Sequence, residues 1–253
     1  MKLIILLGLL FSYSVHAQNN AAAAFEEDFE LGGDIFTDFS EDLTTADMAE
    51  DERYYRYGRF FSFQMGMGTT FYDGNRGAAY LNDPPTIGFQ VNYFMNFRVS
   101  VGMGFTLSRH HFFIDGPTAG FPVNAPGLIQ VDALRTYFGY RYYIDTANLG
   151  TAITYSNPYF TGRMDYWYIT NKFEDQSNLD DDTGGGIGFA IGGGFEFPIE
   201  IKKTYIGVEF LFHGVNFHDK FTQKFRAING SVQAFDDLNG NAYSTVMYYV
   251  LNW

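Results

Sequence analysis

The sequence predicts an all-β protein, an antiparallel up-and-down transmembrane β-barrel of eight strands. Three observations predict it. From Arg59 onward, apolar residues alternate with small or polar ones at a period of two. The alternating stretches number eight, and the connections between them are alternately long and short. A side chain changes face at every step along a strand, so each stretch carries one apolar and one small-polar face. Too few charges lie on the small-polar face for it to be the outside of a soluble barrel. The opposite assignment, apolar face to lipid and small-polar face to lumen, is the pattern of a membrane barrel.

Composition agrees. The 253 residues include 28 Phe, 19 Tyr and 28 Gly but only 2 Trp, and no cysteine. Without cysteine there is no disulfide frame and no thiolate metal site. Sixteen basic and 29 acidic side chains give a formal net charge of −13, which excludes nucleic acid as a partner because phosphate contact needs clustered Lys and Arg.

The elements follow in order. Residues 1–17 read as a signal peptide: Lys2, the apolar run Leu3–Phe11, and Val15-His16-Ala17 before the cleavage point. Residues 18–57 form an acidic arm, flexible or a short helix, with Phe36, Phe39 and Leu43 at helical spacing. Twelve carboxylates and no base lie between Glu26 and Glu52, which leaves 17 acids and 15 bases from Arg53 onward. The acidity therefore belongs to one segment, and residues 58–253, the barrel, are close to neutral.

Within the barrel the apolar faces begin with Phe61, Phe63, Met65, Met67 and Phe71, then Ile87, Phe89, Val91, Tyr93 and Met95. Next come Val99, Val101, Met103, Phe105 and Leu107, then Leu134, Phe138, Tyr140, Tyr142 and Ile144. The fifth is Phe160, Met164, Tyr166 and Tyr168, and the sixth Ile187, Phe189, Ile191, Phe195 and Phe197, opposite a Gly/Ala stripe from Gly184 to Gly194. The seventh is Ile206, Val208, Phe210 and Phe212. The eighth, Ala242–Trp253, is apolar on both parities, and Tyr243, Met247, Tyr249, Leu251 and Trp253 are assigned outward. Long loops are expected at Asp73–Pro85, Ile114–Leu128, Lys172–Thr183 and Phe217–Asn241, and turns at Asn96–Arg98, Asp145–Ser156 and Pro198–Lys202. Strand extension is expected within the middle turn, at Thr151–Tyr155.

Arg59–Trp253 resembles the small eight-stranded outer-membrane β-barrel superfamily of Gram-negative bacteria, the OmpA/OmpX-like group. The signal peptide, the eight alternating segments and the terminal aromatic Trp253 carry the resemblance. The group's usual glycine in the last strand is absent, with Tyr248 and Val250 nearby instead. The resemblance implies the cell outer membrane, with the arm and the C-terminus in the periplasm. It makes Tyr249, Leu251 and Trp253 an assembly signal, and outer-membrane lipids and lipopolysaccharide the surroundings.

An eight-stranded barrel is just wide enough to be filled by its own side chains. The lumen is expected to hold a charge network of Arg98, Arg135, Arg141, Arg163, Asp165, Glu196 and Glu209, since unpaired buried charge is costly. Arg53, Arg56, Arg59, Lys202 and Lys203 are expected at a basic periplasmic mouth, where the acidic arm could dock by charge attraction. No catalytic, cofactor-binding or metal site is assigned. Ser108, His110, His111, His213 and His218 lie near the outer strand ends, but no partner carboxylate is identifiable for them. The acidic third loop lacks the glycine of an EF-hand. The fourth loop combines Lys220, Lys224 and Arg226 with Phe217, Phe221, Phe225 and Phe235, a composition suited to contact with a partner. The function expected is an envelope anchor and interaction protein. It would act through the arm, with a periplasmic or envelope protein as partner of residues 18–52, and through the outer loops. A narrow channel or ion transporter is the alternative, and a lipid A-modifying enzyme the third.

Overall fold

The computed structural model describes residues 59–146, 156–176, 178–200, 203–215, 221–230 and 234–253. The leader, the acidic arm, Arg53, Arg56, Lys202, Phe217, His218, Lys220 and the expected extension at Thr151–Tyr155 lie outside the described residues.

Eight strands form a closed barrel in sequence order: β1 (Phe61–Tyr72), β2 (Leu81–Phe94), β3 (Val99–Ile114), β4 (Gly127–Tyr143), β5 (Asn157–Phe173), β6 (Asp182–Glu200), β7 (Thr204–Gly214) and β8 (Ala242–Asn252). Every neighbouring pair is antiparallel, and β8 pairs with β1 to close the sheet. Two short helices lie in the loops, α1 (Gly74–Ala79) and α2 (Phe221–Lys224).

The register fixes the tilt. Starting at Phe61, partners run through Tyr93, Val101, Tyr140, Gly162, Ile191, Phe212 and Tyr243, and return to β1 at Phe71, ten residues further on. That stagger over eight strands corresponds to a tilt of about 40°.

The predicted facing holds along most of each strand. On β3, Val101, Met103, Phe105 and Leu107 face out, while Ser100, Thr106 and Ser108 are buried inside. Tyr243, Met247, Tyr249, Leu251 and Trp253 on and beside β8 are all exposed outward. Asn96 shapes the β2–β3 turn, its Oδ1 accepting from the backbone N–H of Arg98 at 2.9 Å and of Val99 at 2.8 Å.

Three segments differ from expectation. β2 begins at Leu81 and α1 occupies the stretch before it, where one long loop was expected. β4 begins at Gly127, seven residues before Leu134, and β6 runs on through Pro198, where its pairing with β7 shifts register. The cause in β4 is an inversion of faces. Above Leu134 the outward residues are Asp132 and Gln130, while Ile129, Val131 and Ala133 are buried inward. β3 inverts at Arg109 and β5 at Thr170, directly beside Asp132 in the sheet. The barrel therefore has a belt, polar inside and apolar outside, and at its loop end a cup of opposite polarity.

Candidate functional site

The lumen is filled in three levels. At the turn end Arg59, just ahead of β1, reaches into the mouth, where its Nη1 lies 2.7 Å from Glu196 Oε2. Its guanidinium also lies over the rings of Phe94 at 4.4 Å, Tyr205 at 4.8 Å and Tyr143 at 5.2 Å. Burial lowers the Arg59 pKa, but Glu196 together with Tyr143 and Tyr205 raises it, and the net shift is upward. Glu196 also accepts from the Tyr143 hydroxyl at 2.9 Å.

The middle level centres on Glu209 of β7. Arg141 of β4 bonds its Oε2 at 2.7 Å, and Arg163 of β5 bonds its Oε1 at 2.5 Å. The Tyr159 hydroxyl donates to Oε2 at 3.0 Å. Both arginines and the Tyr137 hydroxyl also converge on Gln90 Oε1 at 3.0 to 3.1 Å. Inward glycines give these side chains their space. A Cβ on Gly194 would sit 2.5 Å from the Tyr159 hydroxyl, and one on Gly66 the same distance from the Tyr248 ring.

Above this, Arg135 and Asp165 do not bond each other directly. His213 stands between them, its Nδ1 2.7 Å from Asp165 Oδ2 and its Nε2 2.8 Å from Arg135 Nη1. A guanidinium only donates, so Nε2 accepts and the ring proton lies on Nδ1, facing the carboxylate. Ser244 Oγ also lies 2.8 Å from Nε2, and Trp167 sits beneath Arg135 at 4.8 Å. Ser244, His213 and Asp165 thus stand in the order nucleophile, base, carboxylate. The space they share with Thr106, Leu211 and Val246 is too tight for a water molecule. In this state the trio is a hydrogen-bonded bridge between one cation and one anion.

The cup closes the loop end. Phe112, Ile114, Ile129, Val131, Ile169 and Phe173 from the strands pack against Tyr80, Phe221, Phe225 and Leu238 from the loops. Within the fourth loop, Phe221 and Phe225 are buried in the cup and Lys224 pairs with Asp182, so these three side chains are not offered to a partner. Apolar loop residues can fold inward here because the strand ends beneath them present apolar side chains.

Of the residues assigned to the lumen network, the structure brings together Arg135, Arg141, Arg163, Asp165, Glu196 and Glu209 inside the barrel. Arg98 is a correction. It is exposed on the β2–β3 turn, 3.8 Å from Asp145, because the strand has ended before its inward parity can apply. Arg59, assigned to the basic mouth, lies at that end half-buried and paired with Glu196, while Lys203 is exposed and pairs with Glu200. His110 packs between Tyr72 and Tyr80. Sequence reasoning missed Tyr137, Tyr143, Tyr159, Gln90, His213 and Ser244 as network members. Parity held the signal for several of them, since Gln90 and His213 fall on the inward polar faces of their strands and Tyr137 and Tyr143 share the face of Arg135 and Arg141. Among the described residues no cluster of His and acidic groups is arranged to hold a metal ion.

No protein-family model and no curated protein matches the chain. Solved structures do. The Neisserial surface protein A (NspA) matches with a TM-score of 0.50 at 10% identity, over 76% of this chain and 97% of that one. The attachment invasion locus protein Ail of Yersinia pestis matches at 0.43 and 13% identity, over 76% and 96%. The N-terminal β-barrel domain of OprF from Pseudomonas aeruginosa matches at 0.41 and 11%, over 76% and 97%. At these identities the likeness concerns the fold, that of the eight-stranded outer-membrane β-barrels.

Proposed function

We propose that this chain, which has the fold of the small outer-membrane barrels, is a closed envelope anchor. Its loop end faces outward, and its acidic N-terminal arm and C-terminus lie in the periplasm. The apolar belt supports insertion in lipid: Met103, Phe138, Phe160, Ile191 and Met247 are all more than half exposed and point outward. The observation that carries the closed-anchor reading is the filled lumen. Arg59 with Glu196, the Glu209 cluster, the His213 bridge and the apolar cup block the axis in succession. A conducting pore needs a continuous wet path, and the side chains that fill these levels among the described residues support the closed reading. The contacts of such an anchor fall to the arm, residues 18–52, and to the polar surface of the outer loops. Lipids and lipopolysaccharide of the outer membrane surround the belt.

Planar-bilayer recording of the refolded full chain tests the reading. Electrical silence is expected, and reproducible unitary channels would overturn it. Site-specific photocrosslinking along 18–52 in living cells then identifies what the arm touches.

A further inference from the structure

We propose that the outward wall of β3, β4 and β5, at the level where the faces invert, binds a phosphorylated glycolipid of the outer leaflet. This rests on the reading above that the loop end faces outward, and it adds a defined site to that reading.

The site is built around one carboxylate. Asp132 on β4 faces out and is 28% exposed. Its Oδ1 accepts from Arg109 Nε of β3 at 2.7 Å, its Oδ2 from Lys172 Nζ of β5 at 2.8 Å, and Gln130 Nε2 adds a third contact at 3.0 Å. Asp132 therefore orients two cations side by side without neutralising both. Arg109 is 56% exposed and engages the carboxylate only through Nε, so the two terminal nitrogens of its fork remain for an anion. Lys172 is 42% exposed and spends one of its three donors on Asp132. One row higher, His111 faces Glu174 at 3.8 Å, which engages that acid on the far side.

Directly below lies a groove of about 600 Å³, lined by Pro85, Ile87, Leu107, Leu134 and Tyr168, with Arg109 and Asp132 at its head. The volume is in the range of small-ligand sites, and its walls are apolar where the belt begins. A cationic pair at the polar edge of an apolar, lipid-facing groove complements a molecule with a phosphate head and an acyl chain. The Arg109 fork plus the Lys172 ammonium favour a phosphomonoester, which carries close to two charges, over a singly charged phosphodiester. Gln130 and Thr170, beside the cations on the same wall, are placed for the hydroxyls of a sugar.

The test is native mass spectrometry of the full chain titrated with bis-phosphorylated lipid A. Its dephosphorylated counterpart and phosphatidylglycerol serve as the other arms. The wild type is expected to retain the phosphorylated glycolipid preferentially. The double variant Arg109→Gln with Lys172→Gln is expected to retain it about tenfold less. Arg98→Gln, at the opposite end, should leave retention unchanged. Equal retention by the double variant, or of the dephosphorylated glycolipid by the wild type, would overturn the site. Equal retention of phosphatidylglycerol would overturn the phosphomonoester assignment. Insertion into liposomes with heat-modifiable mobility separates the two levels: a barrel that inserts but shows no phosphate preference loses this site alone, whereas one that fails to insert loses the parent reading.

Discussion

The belt and the cup are built from the same strands, yet they solve opposite problems. In the belt the solvent outside is hydrocarbon, so Met103 and Phe138 face out and the polar groups that remain must satisfy one another inside. In the cup the polarity is reversed: Arg109, Asp132 and Lys172 face out, where a polar surrounding favours them, and Phe112, Ile129 and Phe173 fill the inside. The two interiors should fail differently. A hydrogen-bonded charge cluster depends on each member, because removing one leaves another charge buried without its partner. An apolar cluster loses contacts in proportion to the atoms removed.

The sharpest break of that comparison is Glu209→Ala. It would leave Arg163 without its carboxylate and Arg141 with Glu196 at 3.6 Å, the two guanidiniums facing one another where Glu209 stood. The expected loss is about 3–5 kcal/mol of unfolding free energy in lipid vesicles. Restoring part of it with a second change, Arg163→Met, would identify the loss as uncompensated charge. If Glu209→Ala unfolds like the wild type, the mid-lumen cluster is not what holds the belt interior together.

The boundary itself can be tested by moving one charge across it. Met103 lies on the belt exterior and Phe113 on the same face of β3 above the inversion, both well exposed. Met103→Lys should cost about 2–4 kcal/mol in a bilayer, and Phe113→Lys about 0–1 kcal/mol. Equal costs for the two would show that the inversion of faces does not mark the lipid surface.

The same inversion explains what the sequence made legible. The belt was readable because Val99 to Leu107 and Phe160 to Tyr168 each keep one chemistry per face, so strand number, order and facing follow from parity alone. The strand ends were not, because above Leu134 the apolar residues change parity and the pattern looks like a loop. The lumen charges were readable as charges, and Arg141 and Glu209 do lie inside. Their partners were not. Tyr159 and Tyr248 are inward aromatics, and aromatic residues occur on both faces of this barrel, so type alone cannot place them. The bridge Ser244–His213–Asp165 joins β8, β7 and β5, and β5 is not adjacent to either of the others. It depends on distance across the lumen, which a local pattern does not encode.

The smallest expected effect belongs to the rim of the cup, where water reaches the charges. Asp237 ties the two loops flanking β1 and β8: its Oδ1 accepts from Asn75 Nδ2 of α1 at 2.8 Å, and its Oδ2 from Asn239 Nδ2 at 2.5 Å. Its pKa is lowered, chiefly by the backbone N–H of Asn239 and then by the Asn75 amide, both of which favour the charged form. A depressed folded-state pKa contributes stability that is present above the ordinary carboxylate range and is lost as pH falls through the depressed value. Acidification below about pH 4 should therefore loosen this tie first. Solvent exposure keeps the contribution small. The side-chain amide NMR signals of Asn75 and Asn239 should shift with a midpoint below that of a free aspartate, and Asp237→Asn should abolish the transition. A midpoint at the ordinary value, or the same titration in the variant, would mean that the cup rim is held without the Asp237 charge, by its apolar packing and by contacts such as Arg76 to the Leu238 carbonyl and Asp73 to Asn241.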